Sequence, residues 1–193
     1  MPGQTDTRWR LLQTAAGLFQ RQGYASTGVN QVLVESGAPK GVLYFHFPGG
    51  KEQLATESVA LSGSALGARM AEAIEHAPDA GAAVESLAEL LSNDLEASGF
   101  RDGCPVATVA LDAADHSEPI RDACQAVYSS WLGALAAYLR SQGIAGPDAG
   151  ELAALIISSL QGALLLARVH HDTAVMRTVT QRLRALVDGT PRS

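Results

Sequence analysis

The chain has 193 residues, which suits one or two domains with a substantial core. Of these residues 47% are hydrophobic and only 5% aromatic, a composition that favours helices over sheets. The sequence contains no apolar run that approaches the ~20 residues needed to span a bilayer, and it contains no secretory signal. Two cysteines, Cys104 and Cys124, are too few for a disulfide scaffold. We therefore expect a cytoplasmic protein outside the membrane.

Charge is distributed unevenly along the chain. The net charge is −6, but residues 1–51 hold five basic and two acidic groups, a net of +3. The remaining residues hold nine basic and eighteen acidic groups, a net of −9. A basic head joined to an acidic body is typical of a nucleic-acid-reading domain attached to a body that phosphates repel.

The first third of the sequence predicts three helices and the start of a fourth. Apolar residues at helical spacing predict a helix over residues 5–22, ended by Gly23. Thr27 is predicted to cap the second helix, and residues 36–38 form a turn. Pro39 suits the first position of a short third helix over residues 39–45, because its missing N–H is no loss there. This layout is that of a helix-turn-helix.

The rest of the chain predicts a helical body with one clear linker at residues 143–147. We predict about nine helices and no strand: an all-α fold with a helix-turn-helix DNA-binding domain in residues 1–50 and an effector-binding and dimerisation domain in residues 51–193. Ser117 is expected to cap its helix. The helices predicted in this body cover residues 51–76, about 80–98, 106–114, 117–142, 148–170 and 173–187.

Groups suited to phosphate binding cluster in the head. Lys40 and Lys51 are predicted at helix starts, where backbone N–H groups and the helix dipole favour an anion. Tyr44 and His46 can donate hydrogen bonds to phosphate oxygens. Gly41 leaves room for close approach to a groove. The alternative is that the aromatic side chains here belong to the core, which we expect for Phe47.

The pattern in residues 8–54 resembles the TetR family of transcriptional regulators, and the remaining chain matches that family in layout. Residues 37–51, with Gly103-Cys104-Pro105 downstream, are similar to the LmrA/YxaF-like subgroup. Many positions in register make the signal specific. The matching positions are Ala15-Ala16-x-Leu18-Phe19, Gly23-Tyr24, Thr27, Gly37 and Lys40-Gly41-x-Leu43-Tyr44-x-His46-Phe47.

The resemblance implies a homodimer that represses transcription and releases operator DNA when a small molecule fills its body. Pro39 and Val42 depart from the commoner family pattern, where hydroxyl side chains are frequent, so DNA shape is expected to contribute to specificity. By position, phosphates are expected to meet Thr27, Lys40, Tyr44, His46 and Lys51, and base edges to meet Asn30, Gln31, Gly41 and Val42.

The body is expected to hold a pocket with mostly apolar walls and a few hydrogen-bonding groups, which suits an apolar effector. Ordinary core packing is the alternative for each of these side chains. The candidate effector-binding residues are Leu66, Met70, Phe100, Cys104, Val106, Val109, Leu111, Tyr128, Trp131, Leu132, Leu135 and Gln161.

The last two helices, residues 148–187, are implied to form the dimer interface. They carry more apolar surface than an isolated subunit exposes comfortably, although core burial within the subunit is equally open. The candidate dimerisation residues are Leu152, Leu155, Ile156, Leu160, Ala163 and Leu164.

No metal, cofactor or catalytic site is expected. Neither His170-His171-Asp172 nor Asp112-x-x-Asp115-His116 has the spacing of a ligand set. Cys104 lacks an orienting motif and remains only a candidate for redox sensing. The alternative function is a helical small-molecule-binding or enzymatic protein that does not act on DNA, but such a protein would not require cations at helix starts.

Overall fold

The computed structural model describes the backbone of residues 2–192 and the side chains of residues 7–192. Within this range the chain forms nine helices and no strand, apart from one isolated bridge between Ile144 and Arg192. The predicted all-α fold is confirmed. The helices are α1 (Pro2–Gln22), α2 (Val29–Ser36), α3 (Val42–His46), α4 (Gly50–Glu75), α5 (Ala80–Ala97), α6 (Ala107–Ala113), α7 (Glu118–Ser141), α8 (Gly146–His170) and α9 (Ala174–Asp188).

The helices divide into two compact units. The first comprises the chain up to Ala65 together with Cys104–Val127, and the second comprises Leu66–Gly103 and the chain from Tyr128 onward. Helices α4 and α7 supply residues to both units. This division by contacts differs from the division at residues 50 and 51, which stays a prediction about domains.

The core of the first unit follows the apolar periodicity of its helices. α1 buries Leu11 and Phe19 completely or nearly so, and α3 buries Leu43. Gly37 ends α2 in the left-handed conformation, with φ of 66°, and its N–H donates to the carbonyls of Leu33 and Val34. The predicted turn between the second and third helices is therefore confirmed, because only glycine adopts this conformation without strain.

The third helix begins later than predicted. α3 starts at Val42 rather than Pro39, because Gly41 precedes it with φ of 89° and interrupts any helix entering from Pro39. Pro39 and Lys40 consequently lie in the turn before α3. The predicted cap of α2 is also wrong, since Gly28 occupies the N-cap and Thr27 makes no capping bond.

The second unit is built on the packing of α5, α8 and α9. The predicted break between the fourth and fifth helices is present at residues 76–79: Asp79 caps α5, accepting a 2.7 Å hydrogen bond from the N–H of Ala82. Gly81 allows α9 to approach α5, because a Cβ there would lie 2.4 Å from Oδ1 of Asp188. Arg184 of α9 forms an ion pair with Glu85 of α5.

By length and composition alone, α8 is long and apolar enough to cross a membrane, contrary to the expectation from the sequence. Nearly half of its most apolar stretch is buried, however, and Ile156 and Leu160 pack inside the second unit. Its contacts with α5 and α9 are those of a core helix in a folded unit.

Candidate nucleic-acid interface

The helix-turn-helix presents aromatic side chains to solvent. α3 anchors itself through the fully buried Leu43, while Tyr44 is 60% and Phe45 66% exposed. Phe47, which follows α3, is fully buried, as predicted. Folded proteins seldom leave neighbouring aromatic rings on a charged surface without a partner, so this face is suited to docking.

Lys40, Gly41 and Val42 form the approach to α3. Lys40 and Gly41 are exposed and Val42 is half-buried. The prediction that Lys40 begins a helix is wrong, because it precedes α3 by two residues. Its ammonium group remains on the surface of the turn. A Cβ at residue 41 would meet no atom within 4 Å, so space does not restrict this position. Glycine is required there by the positive φ of 89°.

Tyr44 and His46 flank Phe45 on α3. A Cβ added to Gly50 would lie 3.3 Å from Cε1 of Tyr44, so the tyrosine ring packs against the start of α4. His46 is half-buried and its ring meets that of Phe45 edge to face, with centroids 5.1 Å apart. Both polar rings are thus oriented by neighbours in the first unit.

Lys51 lies in the first turn of α4, as predicted. Its Nζ stands 4.2 Å from the centre of the Tyr24 ring, a cation–π contact. Burial lowers the pKa of Lys51, and the Asp112 carboxylate acts in the opposite direction. Burial and the nearby Glu52 carboxylate raise the pKa of Tyr24, so its phenol stays protonated.

Asp112 of α6 is a residue of this region that the sequence did not reveal. Its Oδ2 accepts a 3.1 Å hydrogen bond from the backbone N–H of Ala25. A Cβ on Gly23 would lie 2.2 Å from the same oxygen, so only glycine fits beneath it. Residues separated by 87 positions carry no local sequence signal of their contact.

Ser117 adds a second connection within this unit. Its hydroxyl caps α7, accepting from the N–H of Ile120, and donates to the Glu52 carboxylate at 2.7 Å. The predicted cap is confirmed. The α1–α2 loop and the first turn of α4 are therefore each tied to the segment that contains α6 and the start of α7.

Three predicted DNA contacts in α2 and just before it have different surroundings. Thr27 is 1% exposed and its hydroxyl donates to the carbonyl of Gly23, so its side chain is not available to a phosphate, which corrects that prediction. Asn30 is exposed. Gln31 is half-buried and hydrogen-bonded to Gln22 and Glu35, each at 2.9 Å.

An apolar groove of ≈ 720 Å³ opens in the second unit between α7 and α8. Three predicted effector residues, Tyr128, Leu132 and Gln161, line it. Trp131 is buried and its ring meets that of Tyr128 edge to face at 5.4 Å. The other residues lining the groove are Ala154, Leu155, Ile157 and Ser158.

The remaining effector candidates do not line this groove. Leu66, Met70 and Leu135 are buried in the second unit, and Phe100 is half-buried with its ring stacked on His171. Leu111 is 83% exposed, so its assignment to a pocket wall is wrong. Three further candidates are buried in the first unit: Cys104, Val106 and Val109.

The dimerisation candidates fall mostly inside their own subunit. Of the six, only Leu155 is exposed. The other five are buried in the core of their own subunit, which was the alternative, because α8 packs them against its neighbours. α8 instead exposes a stripe that the sequence indicated only in part, which we call the α8 apolar stripe: Leu155, Leu165, Leu166 and Val169. The buried five are Leu152, Ile156, Leu160, Ala163 and Leu164.

Potential metal ligands do not gather in the part of the chain whose side chains are described, residues 7–192: no three His, Cys, Asp or Glu side chains cluster there. His171 ends α8 in the left-handed conformation. Cys104 and Cys124 are both buried free thiols.

Comparison with known proteins identifies the family of this chain. Residues 11–57 match the bacterial regulatory proteins of the tetR family, and residues 80–182 match the C-terminal domain described as transcriptional regulator LmrA/YxaF-like. Over 187 residues the chain is 34% identical to the HTH-type transcriptional regulator YxaF of Bacillus subtilis, covering 97% of this chain and 98% of that one. The chain belongs to the TetR family.

Two further similarities agree with this membership. The HTH-type transcriptional regulator LmrA of Bacillus subtilis is 37% identical over 162 residues, which cover 84% of this chain and 86% of LmrA. A TetR transcriptional regulator from Chloroflexus aurantiacus, known by crystal structure, superposes with a TM-score of 0.80 at 26% identity, covering 100% and 99% of the two chains.

Membership establishes the broad function. This TetR-family chain is a DNA-binding transcriptional regulator with an N-terminal helix-turn-helix. Regulators of the family bind operator DNA and act as dimers. The resemblance to the LmrA/YxaF-like subgroup is confirmed by the match over residues 80–182.

Proposed function

We propose that this regulator is a cytoplasmic repressor, and that an apolar small molecule bound between α7 and α8 releases it from operator DNA. The observation that carries the proposal is an apolar groove of ≈ 720 Å³ in a chain whose other unit holds a helix-turn-helix. A volume of this size suits a drug-sized ligand.

On the DNA side, Lys40, Tyr44, His46 and Lys51 are proposed to contact phosphates. Lys51 supports this role because it adds a cation to the first turn of α4, a 26-residue helix whose N-terminal N–H groups favour anions. Gly41 and Val42 are proposed to pass close to the base edges. Asn30 is exposed and can contribute from α2.

The walls of the groove indicate the chemical class of the effector. Leu132, Leu155 and Ile157 are apolar, whereas the Tyr128 hydroxyl, the Ser158 hydroxyl and the Gln161 amide offer hydrogen bonds. A mainly apolar or aromatic molecule with one or two polar substituents fits this arrangement. Few polar groups amid apolar walls orient a ligand without a large desolvation penalty.

The α8 apolar stripe is proposed as part of the dimer interface. Leu155, Leu166 and Val169 follow one another at helical spacing, and Leu165 lies beside them, so the four share one side of the helix. The exposed Gly162 lies between Leu155 and Leu165 along α8 and permits close approach of a partner helix. On α9, the exposed Leu186 adds to the apolar surface.

Release of DNA requires the effector to bind one conformation better than the other. A ligand that bound both conformations equally would leave DNA affinity unchanged, however tightly it bound. By reciprocity, operator DNA must weaken effector binding by the same factor. Helix α4, which contributes to both units, is the proposed route of this coupling.

The test measures DNA affinity with and without aromatic ligands. Fluorescence anisotropy with the DNA upstream of the protein's own gene, in a titration with a panel of polyaromatic compounds, should show release by at least one compound. Gln161→Leu and Tyr128→Phe should raise the ligand concentration needed for release, while DNA affinity without ligand stays unchanged.

Gln125→Leu, an exposed glutamine of α7 in the other unit, is the matched control and should respond as the unmodified protein does. Equal ligand responses in all four proteins would contradict the groove as effector site. A ligand that strengthened DNA binding would contradict release. Activation of a reporter gene by the protein without ligand would contradict repression.

A further inference from the structure

The proposed DNA contacts leave one prominent side chain of α3 without a role. Phe45 is 66% exposed, more than any other Phe, Tyr or Trp among the side chains the structure describes, and it lies between Tyr44 and His46. Sequence reasoning considered it only as a member of the core. Its exposure rules out that reading in the isolated subunit.

The helix geometry directs Phe45 away from the protein. Each residue advances about 100° around an α-helix, so Phe45 lies about 200° from Leu43. Leu43 is fully buried and marks the inner side of α3. Phe45 therefore occupies the outermost line of this helix, and Tyr44 and His46 lie on its two flanks.

The chemistry of Phe45 differs from that of its two neighbours. Its side chain carries no donor, so it cannot bond a phosphate, whereas the Tyr44 hydroxyl and the His46 ring can. The apolar group that a side chain meets in the major groove is the C5-methyl of thymine. The charge around it is complementary to DNA, since residues 1–51 carry a net of +3.

We infer that Phe45 is a specificity-determining residue of this regulator, and that its ring contacts the C5-methyl of a thymine in each operator half-site. The inference rests on docking of α3 in the major groove, as in the proposed function. It also accounts for specificity in a head where Pro39 and Val42 offer no polar side chain to read bases.

The experiment removes the methyl group and the ring separately. A duplex is first selected from a random library by the unmodified protein, and each thymine is then replaced singly by deoxyuridine. At one position per half-site we expect about fourfold weaker binding, the affinity equivalent of one buried CH₂ group. In Phe45→Ala, the ratio of thymine to deoxyuridine affinity at that position should fall to one.

Two further variants make the result specific. Phe45→Leu keeps an apolar side chain and should retain part of the preference for thymine. Val34→Ala, at the 78% exposed valine of α2, should keep the full preference. Because Phe45 and Val34 are exposed, neither change should lower the unfolding temperature, which circular dichroism checks.

Several outcomes would overturn the inference. It fails if no thymine is sensitive to loss of its methyl group, or if Phe45→Ala weakens thymine and deoxyuridine duplexes equally. In either case the unmodified protein still selects a sequence, so the proposed function stands. Selection of no sequence at all would instead contradict specific docking of α3, and the inference with it.

Discussion

The side chain and the backbone of Lys51 lie in different environments. Its ammonium contacts the Tyr24 ring and lies near the Asp112 carboxylate, while its backbone belongs to the first turn of α4. A long flexible side chain can keep its stem packed and turn its charged end toward a phosphate. The internal contacts thus orient the residue without neutralising its charge.

The first prediction concerns this lysine. Lys51→Ala should weaken binding to operator and to random DNA by about the same factor, because phosphate contacts carry no sequence information. The slope of log affinity against log salt should fall by about 1 per head. Anisotropy titrations at several salt concentrations measure it. Arg140→Ala, an exposed cation of α7 in the other unit, should leave the slope unchanged.

The second prediction concerns the backbone before α3. Gly41→Ala should destabilise the turn by about 1–2 kcal/mol, because φ of 89° is strained for any residue with a Cβ. Gly28→Ala is the matched control, since it also meets open space but has an ordinary φ of −85°. Urea unfolding and DNA affinity should both distinguish the two variants; equal effects would show that strain at residue 41 is unimportant.

The third prediction concerns Cys124. Burial chiefly, and the neighbouring Cys104 secondarily, raise its pKa to about 11 from 9.0. A raised pKa in the folded state stabilises the protein fully below about pH 9, and that contribution is lost as the pH rises toward 11. Urea unfolding across this range should therefore show a steeper loss of stability in the unmodified protein than in Cys124→Ala.

The same pKa bears on the reactivity of the Cys124 thiol. At neutral pH a thiol with this pKa is almost wholly protonated and reacts slowly with thiol reagents. Native protein should accordingly label slowly and urea-unfolded protein quickly. Rapid labelling of Cys124 in the native state at neutral pH would contradict the burial that raises its pKa.

Among the elements, α8 has two apolar faces with different tasks. One face packs Ile156 and Leu160 inside the second unit, and the other exposes the α8 apolar stripe. A helix that is apolar on most sides is typical of burial from two directions, and we propose that its own subunit covers one face of α8 and a partner the other. This explains why α8 resembles a membrane-spanning helix when only its length and composition are considered.

The fourth prediction tests the exposed face. Val169→Glu together with Leu165→Glu should shift dimer to monomer in sedimentation velocity, because two carboxylates would be buried without partners. Leu111→Glu, at an exposed leucine of α6, should leave the dimer intact. If the stripe variant sedimented as a dimer, the interface would have to lie elsewhere.

At the scale of the whole molecule, charge and symmetry limit how the regulator reads DNA. The acidic remainder of the chain, with a net of −9, disfavours wrapping of the body on a duplex, so contact is left to the basic heads. One five-residue helix reads few base pairs. Useful specificity therefore needs two heads of a dimer in successive major grooves, ~34–36 Å apart.

The fifth prediction follows from this spacing. Inserting about 5 base pairs between the half-sites of a selected operator rotates one half-site by about half a turn, so only one head can dock at a time. Affinity should fall to that of a single half-site in anisotropy titrations. Unchanged affinity would contradict simultaneous docking of two heads on one face of the DNA.

The sequence by itself determined the helical class, the approximate helix bounds and the helix-turn-helix. These rest on local signals, such as apolar periodicity in α1, the glycine turn at Gly37 and the cap at Ser117. Such signals depend only on residues that are close together in the chain, so they can be recognised without knowledge of the tertiary structure. The late start of α3 had no decisive signal, because glycine is tolerated within helices as well as favoured in left-handed turns.

Tertiary structure alone decided which faces are buried and which residues meet. The sequence could not separate the inward from the outward leucines of α8, because an all-round apolar helix has no polar side to orient it. Nor could it bring Asp112 to Ala25, or separate Tyr128 and Gln161, which line the groove, from the effector candidates that do not. Such contacts depend on how distant elements pack, and packing is a property of the whole fold rather than of any segment.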